Sequence, residues 1–520
     1  MATQLTTTDP PAAAITADPE AALTENVPAE SIRARLLLML PFLILFYVQL
    51  VHHQLWRDEI NAWGVVVTST SLRDLLRNVH YEAHPALWYL LLYPMSKFTH
   101  APWMLKLVEA CIGTGIYLAL ALTSPLRKAE QLLVYCSFYV LFEYTVMSRM
   151  YGLMFLFALI YLHGRLKYPY RLVRNTLWLG LIANTDVTGM ILSGGLLLEY
   201  WIDQRAYGER FDKYLRAGAV YLGMVALSAA TLWPAKDISW RTTGRAFEHL
   251  HDKSHLLHAV LSYLSLPWFP IHRYFPRNFW DAQAQAHPSV YLALLPVTVG
   301  VMVWVFRKRP RMLLMLGAIA IVGTAFTHLV YLGSLRHFGI MFIAFLFGIW
   351  ILRYRHEFVS KIAYVLLALS ALSGAAAACG QWLHPFADDA AAAAWMRQHG
   401  LENASLIGTP DTHVVGLAEM LQRPMYFLDC SCVDTYMKFS ARRDNFDPKV
   451  EVPARLERAV HDLHAPVMVL AMNRPFTDAE QQQLSQALIE TVPLAQFTEG
   501  DIVDEHFFLY KVGADGSPAH

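Results

Sequence analysis

The stretch HHQLWRDEINAW, His52 to Trp63, decides how this chain is to be read. About eighteen mostly apolar residues run into it, enough for a first membrane span, and the triplet Arg57-Asp58-Glu59 follows at once. Charged side chains at a membrane edge are costly, and they mark pairing or function. The question is what two carboxylates and a guanidinium do where a span is ending.

Composition sets the frame. Hydrophobic residues make up 55% of the 520-residue chain and charged residues only 16%, and the mean hydropathy is positive. That balance is far more apolar than an ordinary globular protein and reads as an all-α polytopic membrane protein. A formal net charge of zero and the lack of a basic block argue against nucleic acid as a partner. Five cysteines make no disulfide framework. Cys111 and Cys136 lie in apolar runs, and Cys430 and Cys432 have neither a thioredoxin-type spacing nor partners for a zinc site, so all five read as ordinary side chains. Residues 1–32, rich in Ala, Thr, Pro and acidic residues, read as a disordered cytoplasmic tail. No small-residue cleavage site follows His53, so the first span, about Leu36 to Val51, is expected to stay as an anchor.

Short loops rich in Lys and Arg stay on the cytoplasmic side. Arg33 and Arg35, Arg127-Lys128, Arg165 to Arg174, Arg205 to Arg216, RKRPR (Arg307 to Arg311) and RYRHEFVSK (Arg353 to Lys361) mark that side. Both ends of the apolar segment 175–202 then lie inside, so it must cross twice, and at about 1.5 Å per residue neither half spans a core of about 30 Å. Its middle, NTDVTG (Asn184 to Gly189), marks two short helices meeting near the outer face. The count is about eleven crossings within a transmembrane domain over 33–380, with the N-terminus cytoplasmic. The first outer loop, 54–102, carries an amphipathic interfacial helix capped by Ser71 and Asp74, and the apolar but Pro-broken EAHPALWYLLLYPMSKF (Glu82 to Phe98) stays on the outer surface. A long outer loop covers 234–288. Residues 381–520 alternate short apolar runs (ASLIG, PMYFL, PVMVLAM, HFFLYKV) with helical patterns and read as a soluble outer-face α/β domain.

On this topology Arg57, Asp58, Glu59, Glu82, His84, Arg149, Asp186, Arg336 and His337 all fall at one face. Each alone fits a structural ion pair or an interface anchor. Convergence from five separate segments is what points to a site. Asp58 and Glu59 are neighbours, and adjacent helical side chains do not share a face, so one of them is expected to be chemically poised.

LWRDEINAW, YEAHPALWYLLL, SRMYGLMFLFALI and IANTDVTGMILSGGLLL, in this order, resemble the GT-C membrane glycosyltransferases. The similarity is to the bacterial relatives of protein O-mannosyltransferases (family 39) and of the lipid A aminoarabinose transferase, and it covers roughly residues 34 to 350. It implies a polyprenyl-phosphate sugar donor, transfer on the outer face of the bacterial inner membrane, and inversion at the anomeric carbon. By position in the motif Asp58 would be the general base, with Glu59 beside it. Arg149 and Arg336, with Arg273 or Arg277, suit a lipid phosphate because guanidinium matches phosphate oxygens bidentately, while Arg57, also in the substrate-binding set, would lower the pKa of Asp58 beside it. Glu82, His84, Tyr151, Asp186 and His337 complete the expected substrate-binding set. Several relatives carry an acidic residue shortly after the Ser-Arg element; MYGLMFLF has none, and Glu82 or Asp186 would have to substitute. No metal ligand set is assigned, although a divalent cation is left open. His251, His255 and His258 share one helical face, and the reading preferred for them is interfacial histidines of a lid helix.

Two other classes compete. A polysaccharide polymerase or ligase with a lipid-linked donor would use a late outer loop such as Asp237 to Asp281. A transporter or flippase would carry inverted repeats and mid-membrane charges, and the sequence displays neither. The acceptor, whether lipid, glycan or protein, is not legible, and membrane lipids are the remaining partner.

Overall fold

A computed structural model of the chain describes residues 31–204, 211–238, 249–270, 287–443 and 448–514. The expected tail up to residue 30, and Arg273 and Arg277, lie outside the described residues. The first helix starts where Ser31 accepts a hydrogen bond from the Ala34 amide, and it runs over Ile32–His52. Among the described residues seven helices are long and apolar enough to cross a membrane: Ile32–His52, Trp103–Thr123, Phe211–Leu232, Pro288–Phe306, Pro310–Leu329, Leu335–Tyr354 and Ala363–Leu383. The four other expected crossings fall outside this set, yet two of them, Met150–Lys167 and Val187–Gln204, have 18 residues each. The expectation that neither half of 175–202 spans is corrected for its second half, whose helix runs on to Gln204. Residues 129–147 hold the helix Lys128–Tyr135 and a π-helical turn Tyr139–Glu143, and Met150–Lys167 follows. Segment 175–202 divides into Leu172–Ala183 and Val187–Gln204, which meet at Asn184–Asp186 as the basic loops required.

Burial separates the lipid-facing helices from the central one. Within its apolar window Phe211–Leu232 is 11% buried, whereas Leu335–Tyr354 is 100% buried. A helix apolar all round and wholly buried is the bundle's core, so Arg336 at its start lies in protein. Gly339, at the break between Leu335–Phe338 and Ile340–Tyr354, has the Tyr139 ring and the Tyr144 hydroxyl where a Cβ would stand. The Tyr144 hydroxyl donates to the Arg336 carbonyl at 2.8 Å, which seats that turn.

Met150–Lys167 and Val187–Gln204 have 18 residues each and Leu335–Tyr354 has 20. At about 1.5 Å per residue they are rods of roughly 27–30 Å, the thickness of a bilayer core. Each is charged at both ends: Arg149 and Arg165, Asp186 and Asp203, Arg336 and Arg355.

After the first apolar helix, the helix Arg57–Thr68 is followed by Leu72–Val79, where the Ser71 hydroxyl accepts from the Asp74 amide at 3.2 Å. The Pro-broken segment forms only the six-residue helix Leu87–Leu92 and a short turn, Met95–Lys97, too short to cross.

After Leu383 the chain builds a mixed sheet from β1 (Ser405–Thr409), β2 (Met425–Phe427), β3 (Cys432–Asp434), β4 (Met468–Met472), β5 (Ile489–Phe497) and β6 (Phe507–Ala514), in the order β3-β2-β1-β4-β6-β5. β2, β1 and β4 are parallel and the outer strands antiparallel. The four apolar runs picked out in the sequence are β1, β2, β4 and β6. The reading of all five cysteines as ordinary is corrected here: Cys430 and Cys432 form a disulfide, because the turn between β2 and β3 brings their Cα atoms to 5.2 Å. Cys111, Cys136 and Cys379 are free.

This domain packs on the segment between the first two apolar helices, Ile32–His52 and Trp103–Thr123. The helix Asp411–Leu421 crosses Arg57–Thr68 at Gly64, where a Cβ would meet Glu419 and stand 2.8 Å from the Tyr436 Cβ. The Met437 amide donates to Asn61 Oδ1 at 2.7 Å, and the Ala441 amide to the Asp237 carbonyl at 2.6 Å.

Candidate active site

Arg57, Asp58 and Glu59 open a helix, and successive helical residues diverge by about 100°. The triplet therefore points three ways. Arg57 turns to the C-terminal domain: its amide donates to Glu505 at 3.2 Å, and its guanidinium stands 3.5 Å from Glu505 and 3.8 Å from Asp504. Glu59 turns inward and is fully buried. It accepts from the Trp56 amide at 3.1 Å and the Ser148 amide at 2.5 Å, and meets His53 Nε2 at 2.9 Å. The Gln381 amide donates to His53 Nδ1 at 3.1 Å, which leaves the imidazole proton on Nε2, facing Glu59. Asp58 alone keeps an accessible carboxylate, 27% exposed, bonded by Arg336 Nη2 at 2.6 Å. The two carboxylates expected side by side thus have different tasks: Glu59 ties the helix start to the segment before Arg149, and Asp58 faces the cations.

Arg336, Arg149, His84 and Asp186 form a chain of contacts at Asp58, and Glu82 and the His337–Tyr151 pair are separate hydrogen-bonded groups. Arg149, almost fully buried, donates from Nη1 to the Asp58 carbonyl and from Nη2 to His84 Nε2 at 3.0 Å. Because His84 Nε2 accepts, its proton sits on Nδ1 and is directed at Asp186, 3.1 Å away. Asp186 also accepts from the Thr188 amide at 2.8 Å and hydroxyl at 2.6 Å. Glu82 accepts from Asn61 at 3.3 Å and from the Tyr89 hydroxyl at 3.2 Å. The Ser334 amide donates to His337 Nδ1 at 2.8 Å, so His337 presents Nε2–H to the Tyr151 hydroxyl at 3.0 Å. Beneath the cations lies Trp56, its ring 5.2 Å from the Arg336 guanidinium and 5.7 Å from that of Arg57.

Electrostatics divide the acids. Burial pushes the Asp58 carboxyl up, but Arg336, Arg149 and Arg57 outweigh it and hold it below the usual carboxylate range. Burial pushes Glu82 up to about 7, against the pull of Arg149 and the Tyr89 bond. For His84, burial holds the imidazole below its ordinary value despite the Asp186 bond, with Arg149 acting the same way, so the ring is neutral. Asp58 is thus an ionised carboxylate beside two buried guanidiniums, with the Glu82 carboxyl near its titration point.

Several residues that build the site were absent from the sequence-level set: His53, Trp56, Asn61 and Tyr89 as supports, and Asp504 and Glu505 as the partners of Arg57. The first three stand within the opening stretch itself. The metal option has no three-ligand centre among the described residues. His251 precedes the helix Lys253–Leu264 and is exposed, while His255 and His258 are buried on it. That separation removes the shared face of the three imidazoles.

No family model matches the chain, and no curated protein matches it by sequence. Among solved structures, ArnT from Cupriavidus metallidurans, in a crystal structure with undecaprenyl phosphate, matches with a TM-score of 0.50 at 13% identity, over 92% of this chain and 97% of that one. At such identity the shared property is the fold, and the chain has the GT-C architecture, similar to ArnT, that its motif series implied.

Proposed function

We propose that the protein is an integral membrane glycosyltransferase that moves a sugar from a polyprenyl-phosphate donor to an acceptor hydroxyl at the outer face of the bacterial inner membrane, with Asp58 as general base. The observation that carries this reading is the ion pair of Asp58 with Arg336 beside Arg149, an ionised carboxylate held against two buried guanidiniums. The undecaprenyl phosphate bound to ArnT supports the donor class.

The chemistry follows from these contacts. Glycosyl transfer passes through an oxocarbenium-like state, and inversion requires a base on the side opposite the leaving group. The bond from the anomeric carbon to the phosphate oxygen breaks as the acceptor oxygen bonds that carbon, and Asp58 takes the acceptor proton. Arg149 and Arg336 hold the departing lipid phosphate through charge-assisted hydrogen bonds. A phosphate taken up by Arg336 draws that guanidinium away from Asp58. The carboxylate then loses its main counter-charge and its basicity rises as donor binds. His84, fixed by Asp186, keeps Arg149 in place. Glu59 positions the helix that carries Asp58.

Transfer of labelled sugar by the purified protein in lipid, from a panel of polyprenyl-phosphate sugars, tests the reading. Wild type is expected to move label to an acceptor or to water, and Asp58→Asn to lose about 10²–10⁴ in rate. Full activity of Asp58→Asn removes the base assignment; no turnover with any donor removes the reaction class. The anomeric configuration of the product tests inversion.

A further inference from the structure

The ends of the three rods away from Asp58 meet in a second charged cluster. Arg165, 2% exposed, pairs with Glu199 and reaches Asp203 at 3.1 Å. Arg311 pairs with Asp203 and lies 3.4 Å from Glu199, Arg355 reaches Asp203 at 2.7 Å, and Arg309 pairs with Glu357. Lys308 is exposed and has no ion-pair partner among the described residues. The cations Arg165, Lys308, Arg309, Arg311 and Arg355 thus face Glu199, Asp203 and Glu357, an excess of two positive charges.

A hollow of about 750 Å³ opens at this cluster. Lys308, Arg309, Arg311 and Arg355 line its charged side together with one carboxylate, Glu357, which is paired with Arg309, and Ile202 and Leu314 line its apolar side. Leu314, 49% exposed, belongs to Pro310–Leu329, one of the membrane-crossing helices. The N-terminus of that 20-residue helix opens beside the hollow, and its positive dipole end adds to the cationic field. Three of the guanidiniums are already oriented by carboxylates, so little ordering is left for a ligand to impose.

We propose that this hollow binds the phosphate headgroup of an anionic glycerophospholipid, with the acyl chains leaving along Leu314 and Ile202. Guanidiniums match phosphate oxygens in forked pairs, and basic pockets between membrane helices hold acidic headgroups. The apolar wall distinguishes this occupant from a soluble anion, which would leave Leu314 without a partner. The inference is independent of the glycosyl-transfer reading, since it concerns the opposite ends of the rods.

Native mass spectrometry of the full-length protein, released from micelles doped with phosphatidylglycerol or phosphatidylcholine, tests it. Phosphatidylglycerol is expected to be retained and phosphatidylcholine lost. Lys308→Gln, an exposed substitution that breaks no ion pair among the described residues, is expected to weaken retention about fivefold. Arg127→Gln, which neutralises an exposed cation at the same end but outside the hollow, is expected to leave retention unchanged. Equal retention of the two lipids overturns the proposal, as does an equal loss with Arg127→Gln. Displacement of the lipid by inorganic phosphate would show a soluble-anion site and overturns it as well.

Discussion

Arg336→Gln probes both halves of the proposed mechanism. The wild-type guanidinium stands 2.6 Å from Asp58, with the two side chains 9% and 27% exposed. Two unit charges about 4 Å apart interact by roughly 4 kcal/mol at an effective dielectric near 20. Arg149 and Arg57 remain in the variant and Asp58 has some solvent, so the loss is about half of that. Asp58 must be ionised to accept a proton, so the rate falls as pH drops through its pKa. Removing a positive neighbour raises that pKa, and the acid limb moves to higher pH. The lost phosphate contact adds a separate drop of about 10²–10³ in kcat, as for a donor aimed at developing charge. Arg336→Lys restores the charge without the fork, so its acid limb returns toward wild type while kcat recovers only in part. The assay is labelled-sugar transfer in lipid across pH. A normal rate with an unmoved acid limb in Arg336→Gln would refute both roles, and identical limbs in the Gln and Lys variants would refute the electrostatic one.

Other outcomes follow from the same geometry. Glu82 titrates at about 7 in the fold against an ordinary 4.5, so it contributes stability that is fully present below the ordinary value and lost as pH rises through the higher one. Glu82→Gln should therefore gain thermal midpoint relative to wild type between those pH values, toward an upper bound of roughly 3 kcal/mol, with a plateau above; a difference that does not change with pH counts against a buried neutral carboxyl. Tyr151→Phe loses one bond to His337 and is expected to cost about 1 kcal/mol of stability and less than about tenfold in turnover, as differential scanning and kinetics will report. Arg57→Ala should quicken hydrogen exchange at Ile502 to Glu505 while moving the acid limb of Asp58 less than Arg336→Gln does, because Arg57 is spent mainly on Asp504 and Glu505.

Long-range features of the fold were legible wherever membrane physics constrains them. The basic loops forced 175–202 to turn back at Asn184–Asp186, and a helix break stands there. Arg149 and Arg336 were expected with Asp58 because charged residues from separate segments converged on one face, and both contact it. Short-range direction was less visible. Nothing in Arg57-Asp58-Glu59 as letters says which of the three faces the cations, since that depends on where Trp56 starts the helix. Pairing with the C-terminal domain was hidden as well: Arg57 and Glu505 are 448 residues apart. β3 has three residues and β5 carries Pro493 with an irregular register, so neither shows a strand's alternation in the sequence. The disulfide was missed because one residue between two cysteines says nothing about the turn that closes it.

The three rods with charged groups at both ends have a consequence for which molecules can meet the site. Helices of fixed rise work as a gauge: if one set of ends is anchored at the headgroups of the opposite face, Asp58 is held at one height above them. On the proposed reading, a hydroxyl is served only if its carrier brings it to that height. An acceptor seated deeper in the hydrocarbon, or borne too far above the surface, presents the same chemistry and goes unmodified. Selection by elevation needs no pocket shaped to the acceptor, and a thicker or thinner bilayer would reset it by tilting the rods.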